Sequence, residues 1–173
     1  PHAETQRLLG RRDPDHGVQA LVPPCPVATS AGPNDVIMIT VQYRGEKKSF
    51  TPERLVAMVL SDLKVIAEAD HGAKVTDAVV SVPVFFPAPP RRAMLDACPL
   101  AGLPTLRLLP EPPATAPASG LFQTAHLAAA PPHEALVDLG HSATRACVVP
   151  FPPSGLPTLS AARALHPRRP HLT

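Results

Sequence analysis

Residues 75 to 111, VTDAVVSVPVFFPAPPRRAMLDACPLAGLPTLRLLPE, constrain the fold more than any other stretch of the chain. Val75, Val79, Val80, Val82, Val84, Phe85 and Phe86 make a nearly continuous β-branched and aromatic run, the pattern of a strand covered on both faces. A proline cluster at 87 to 90 stops that strand. The following RRAMLDAC sets Ala93, Met94 and Ala97 at helical spacing, with proline ahead of the first turn, where its missing N–H costs nothing. Gly102 can end the helix, and residues 103 to 109 read as a second apolar strand. Strand, helix, strand in this order predicts a parallel, right-handed crossover. Glu111 lies just past the second strand, and ligands on open α/β sheets gather beyond the carboxyl ends of strands. On residue type alone, a carboxylate in that position is an ordinary surface acid.

The chain has 173 residues, enough for one domain with a real core, and 45% of them are hydrophobic, which excludes general disorder. Proline is unusually frequent: 25 residues, about three times the ordinary ~5% share. A proline inside a helix costs about 3 kcal/mol, so several of them could erase a domain's margin of roughly 5 to 15 kcal/mol. With 3% aromatics and no tryptophan, packing should be thin and stability marginal. A formal charge of +2, with basic residues scattered, does not make a nucleic-acid footprint. Cys25, Cys98 and Cys147 are far apart and odd in number, so neither a disulfide framework nor a zinc site is expected, and a reducing compartment fits best. No apolar run approaches the ~18 residues of a membrane span. The first residues lack the charged-then-apolar order of a signal peptide, and a start at Pro1 is that of a truncated or processed chain.

Residues 1 to 35 hold a short helical candidate at 5 to 10 and otherwise read as loop, because Pro and Gly recur throughout. Asp13, Asp15 and Gly17 superficially suggest a calcium loop, but Pro14 interrupts it and Pro24 stands where the bidentate acid is needed. IMITVQY, the turn RGEK and KSF predict a β-hairpin. Thr51, Pro52 and Glu53 are helix start signals, and Leu55, Val56, Val59, Leu63 and Ile66 form an apolar stripe that should face the core until His71 and Gly72 end the helix. Beyond Glu111 a short helix is disfavoured by Pro117, and residues 122 to 132 read as a connection. Residues 135 to 138 and 144 to 149 read as strands around a turn, Gly140, His141, Ser142 and Ala143. From Pro150 onward the chain reads as a frayed tail, and no internal repeat is visible.

The segment ALVDLGHSATRACVV admits two chemistries beside the plain hairpin turn. In one, Asp138 positions metal-bound water while backbone N–H groups of the turn hold phosphate oxygens. In the other, Ser142 is the nucleophile of a serine hydrolase. That reading lacks the second glycine of a nucleophile elbow, and the residues after Ala143 look like strand rather than the required helix.

In order and spacing, YRGEKKSFTPERLVAMVL, KVIAEA, VTDAVVSVPVFF, RRAMLDA, LAGLPTLRLLPEP and VDLGHSA resemble the nucleotide-binding domain of the seventy-kilodalton heat-shock chaperones, across roughly residues 5 to 150. The GHS turn and the Arg91-Arg92 pair are most similar to the hundred-and-ten-kilodalton branch, whose members act as nucleotide-exchange partners. VPVFF also resembles the branch resident in the endoplasmic reticulum. The resemblance implies an α/β fold, a partial actin-like (ribonuclease-H-like) ATPase domain. Residues 1 to 35 would be a proline-rich partial lobe segment, 36 to 150 the partial nucleotide-binding domain, and 151 to 173 a disordered proline-rich tail.

By the same resemblance, Glu111 corresponds to the acid that helps order the metal and attacking water, and Asp138 to the acid opening the second phosphate loop. Gly140, His141, Ser142 and Ala143 would be the nucleotide-binding turn, replacing a glycine-rich one. Pro83 and Arg91 match the proline switch and arginine relay. Gln6 stands where the family places its catalytic lysine, while Pro99 and Pro117 fall within family helices. The first phosphate loop, the adenosine-contacting segments and the substrate-binding domain are missing from this reading. ATP and magnesium therefore belong to the complete domain, with no metal ligands and no stable cofactor expected here and ATP turnover not expected. Implied partners of a complete protein are a seventy-kilodalton chaperone and unfolded clients, with no nucleic acid and no membrane. The cytoplasm is the expected compartment, the nucleus a further one and the endoplasmic reticulum the alternative. A non-catalytic interaction fragment is the rival expectation.

Overall fold

The computed structural model describes residues 5 to 12, 28 to 112, 114 to 115, 133 to 139, 144 to 150 and 161 to 165. The chain divides into two compact units, one of residues 1 to 80 with 86 to 108, the other of residues 81 to 85 with 109 to 173.

In the first unit, α1 (Thr5–Leu8) precedes a three-stranded antiparallel sheet of β1 (Ala28–Ala31), β2 (Ile37–Tyr43) and β3 (Glu46–Phe50), in that order. The expected hairpin forms. Arg44 and Gly45 link β2 to β3 with φ of 53° and 84°, both positive, the two-residue geometry whose twist matches that of paired strands. β1 corrects the expectation of loop before residue 36. Its ATSA sequence carries little strand signal of its own, but Ala28 to Ala31 pair with Thr40 to Ile37. Leu8, Ile37 and Ile39 form a buried cluster, and Val41 and Leu55 pack against it.

The 20-residue helix α2 (Pro52–His71) starts and stops where the sequence says. Thr51 Oγ1 accepts from the Arg54 N–H at 3.3 Å, Pro52 fills the first position, and Gly72 closes the helix with φ 67°. Its apolar stripe is not the continuous core face expected. Val56 is buried and Leu55 half-buried, but Val59, Leu63 and Ile66 are 49%, 55% and 63% exposed. Periodicity identified the apolar face correctly but could not say how much protein would cover it. α2 packs instead on α3 (Ala88–Leu100), with Ala57 buried and Lys64 Nζ donating to the Gly102 carbonyl at 2.6 Å.

Ala93, Met94 and Ala97 lie on the buried face of α3, as their spacing predicts, and Cys98 is buried with them. Pro99 is tolerated because the helix ends one residue later, and Gly102, at φ 63°, donates its N–H to the Pro99 carbonyl. The strands flanking α3 are shorter than expected. β4 (Ala78–Val82) pairs with β5 (Thr105–Pro110) in a two-stranded sheet, the Ala78 N–H donating to the Pro104 carbonyl at 2.8 Å. Covering on both faces is corrected as well: Val82 is fully buried, yet Val79 is 53% and Leu106 71% exposed. A β-branched run is equally compatible with a half-covered strand, and the partner surface decides between them.

The second unit holds the antiparallel sheet of β6 (His133–Leu139), β7 (Thr144–Pro150) and β8 (Ala161–Leu165). The strands read at residues 135 to 138 and 144 to 149 are observed, the first beginning two residues earlier. Residues 144 to 150 form a strand, as read from the sequence, where a nucleophile elbow at Ser142 would require a helix. β8 departs from the unpaired tail expected after Pro150, because Ala161 to Leu165 pair with Val148 to Thr144. Cys147 and Val149 are the buried cluster of this sheet, with Leu136 against them.

Candidate functional site

Glu111 follows β5 directly and begins a helical turn with Pro112. Asp138 is the penultimate residue of β6. In the antiparallel register it stands opposite Arg145 of β7, one pair away from the Leu139–Thr144 pair that closes the hairpin. Opposite charges directly across a strand pair attract, typically by about 0.2 to 1 kcal/mol.

The side chain of Arg145 draws the two acids together. Its Nη1 donates to Asp138 Oδ2 at 2.8 Å, and its Nε lies 2.7 Å from Glu111 Oε2. The contacts differ in quality. The bond to Asp138 is well aligned, and Asp138 is 54% exposed. Glu111 Oε2 and Arg145 Nε are both buried, and neither has an aligned hydrogen bond, so they meet as charges in contact. The electrostatics follow from this. Burial raises the Glu111 carboxyl above its ordinary 4.5, Arg145 pulls it down, Asp138 pushes it up again, and burial prevails. A well-formed ion pair would have lowered it.

These three residues, with Pro112, Thr115 and Cys147, line a cleft of about 300 Å³. Thr115 Oγ1 donates to the Pro112 carbonyl at 2.9 Å and holds the turn beside Glu111. The Cys147 thiol is buried, which raises its pKa against a smaller opposing effect of a backbone hydrogen bond with Leu136. It is inert packing at the floor rather than a nucleophile.

Gln6 is exposed on α1 and belongs to the first unit. Arg91 lies in the first turn of α3, its Nε donating to the Phe86 carbonyl at 2.8 Å. Pro83 is buried just after β4. Gly140, His141, Ser142 and Ala143 lie outside the described residues. Among the described residues, no cluster of three His, Cys, Asp or Glu side chains could hold a metal, and no helix is long and apolar enough to cross a membrane. Arg145 is the residue that sequence reasoning passed over. Its signal was available: once the GHS turn joins two strands, hairpin register sets Arg145 against Asp138.

The architecture is that of a mixed α/β protein whose second unit gathers two acids around one arginine. The chain belongs to the Hsp70 protein family, whose model matches residues 2 to 160. It is 37% identical over 160 residues to "Heat shock 70 kDa protein 14" of Arabidopsis thaliana, covering 92% of this chain and 19% of that protein. It is 37% identical over 150 residues to "Heat shock protein 110" of Caenorhabditis elegans, covering 84% and 19%. Identity rises to 45% over 118 residues with a ribosome-associated molecular chaperone of Eremothecium gossypii, covering 68% and 19%. The chain thus spans about a fifth of the length of these relatives. The family's domain binds ATP with magnesium.

Proposed function

We propose that this chain is a partial nucleotide-binding domain of an exchange-factor-type heat-shock chaperone, part of an actin-like, ribonuclease-H-like ATPase fold, and that it does not itself turn over ATP. The observation that carries the reading is the family match over residues 2 to 160, with the likeness to a protein named for the hundred-and-ten-kilodalton class supporting the branch. In its complete form the protein would assist ATP-dependent folding, with a seventy-kilodalton chaperone and unfolded clients as partners. Residues 36 to 150 would be the retained nucleotide-binding part. Cysteine usage favours the cytoplasm as its compartment, extending to the nucleus, with the endoplasmic reticulum the alternative.

In this reading Glu111 and Asp138 are the inherited acids, residues 140 to 143 the phosphate turn, Pro83 and Arg91 the switch pair, and Gln6 the substitute for a lysine. A neutral donor in place of a charged one forfeits about 1 kcal/mol, roughly fivefold in rate, which would leave activity. The larger deficit is positional. Phosphoryl transfer needs phosphate, metal and water held together, and Glu111 with Asp138 cannot do this without an opposing phosphate loop and adenosine clamp. Magnesium-dependent phosphate release from purified chain, measured beside Glu111→Ala, should be absent from both. Turnover that copurifies with the chain and vanishes in the variant would refute the reading. A non-catalytic interaction fragment is the second reading, favoured by the exposed Val59, Leu63 and Ile66 on α2.

A further inference from the structure

We infer that Arg145 is the resident counter-cation of the Glu111–Asp138 pair and excludes a divalent metal from it. The family implies magnesium, so the fit of these residues to a metal can be tested on their geometry. Magnesium requires oxygen ligands at about 2.0 to 2.1 Å in near-octahedral order, with several retained waters. Here the carboxylate oxygens that would supply such ligands face nitrogen: Glu111 Oε2 lies 2.7 Å from Arg145 Nε, and Asp138 Oδ2 lies 2.8 Å from Arg145 Nη1. A metal entering between them must displace the guanidinium. The residues do not fit the ion.

Three features hold the arginine there. Arg145 is registered opposite Asp138 in the β6–β7 hairpin, so its backbone cannot move away without opening the ladder. Its side chain is only 14% exposed, which leaves little room to swing into solvent. Its guanidinium also meets both acids at once, through Nη1 to Asp138 and Nε to Glu111, so swinging away would break both contacts. The pair and its arginine together keep one uncompensated negative charge. Removing the arginine would leave two, and would strengthen attraction for a divalent cation at contact range by at least about tenfold in affinity.

The inherited role of the acids rests on the proposed function; exclusion of the metal rests on the contacts themselves. The probe is Mn²⁺ alone, added to the full 173-residue chain and followed by electron paramagnetic resonance of the free ion, with circular dichroism to confirm that each variant is folded. Wild type and Arg145→Lys should bind more weakly than about 1 mM, the weak end for carboxylate sites. Arg145→Gln should bind at least about tenfold more tightly, and Arg145→Gln combined with Glu111→Gln should lose the gain. A folded Arg145→Gln with no gain overturns the inference. If that variant does not fold, wild type against Glu111→Gln decides: equal weak binding supports it, and wild-type binding that disappears in Glu111→Gln overturns it. Because no nucleotide is present, an unexpected ATPase activity would sink the proposed function without changing this result.

Discussion

Gly10 and Gly72 have nearly the same backbone, with φ of +63° and +67°, but different surroundings. A Cβ on Gly10 would lie 2.6 Å from the Pro89 carbonyl oxygen and 2.9 Å from the Pro90 nitrogen, backbone atoms at the start of α3; one on Gly72 would meet nothing within 4 Å. Comparing alanine at both positions therefore separates conformational strain from steric exclusion. Left-handed backbone costs a non-glycine residue about 1 to 2 kcal/mol, and alanine offsets about 0.4 to 1 kcal/mol of that by stiffening the unfolded chain. Gly72→Ala should thus destabilise by about 1 kcal/mol. Gly10→Ala carries the same strain and must also displace rigid backbone, which adds about 1 to 3 kcal/mol. The shift would further disturb the Gly10 N–H, which donates to Glu53 Oε1 at 3.3 Å in the first turn of α2. Tyr43 is the chain's single tyrosine, and there is no tryptophan, so tyrosine fluorescence in urea follows the first unit alone. With a urea slope of about 1 to 3 kcal/mol per molar, the Gly10→Ala midpoint should fall about 1 M below that of Gly72→Ala. Coincident midpoints would show that α1 and α3 do not approach as closely as the steric argument requires.

The same fluorescence assay should show Thr51→Ala losing about 1 kcal/mol, because the Arg54 N–H loses its acceptor, while Thr51→Ser stays near wild type; an unchanged midpoint in the alanine variant would remove the cap from the account. The Glu111 carboxyl gives a pH dependence of definite sign. Its folded pKa is raised above 4.5, so the folded state binds more protons between 4.5 and the raised value, and the associated stability is complete below 4.5 and lost as pH rises through the folded pKa. Urea unfolding followed by circular dichroism across that window should show wild type losing stability relative to Glu111→Gln as pH rises; a relative gain would mean that Arg145, not burial, governs the carboxyl.

Signals confined to a few neighbouring residues were legible in the sequence. Thr51-Pro52-Glu53 opening α2, Gly72 and Gly102 closing their helices, and the Arg44-Gly45 link between β2 and β3 all depend on the φ, N–H or side-chain oxygen of residues within one turn. The order of elements through the Hsp70-like segments was legible for the same reason. Elements defined by a distant partner were not. β1 and β8 are strands because β2 and β7 offer them unpaired edges, and nothing in ATSA or AARAL announces that. Exposure of Val59, Leu63 and Ile66 likewise depends on what lies across the helix face, a quantity that periodicity does not contain. The candidate site divides along the same line. Glu111 and Asp138 stood out as acids at strand ends, but their state depends on Arg145, whose position follows from hairpin register and whose effect depends on burial. Tertiary structure alone decided that burial of Glu111 outweighs the attraction of the arginine beside it, because desolvation depends on everything around a charge while a sequence names only its neighbours along the chain.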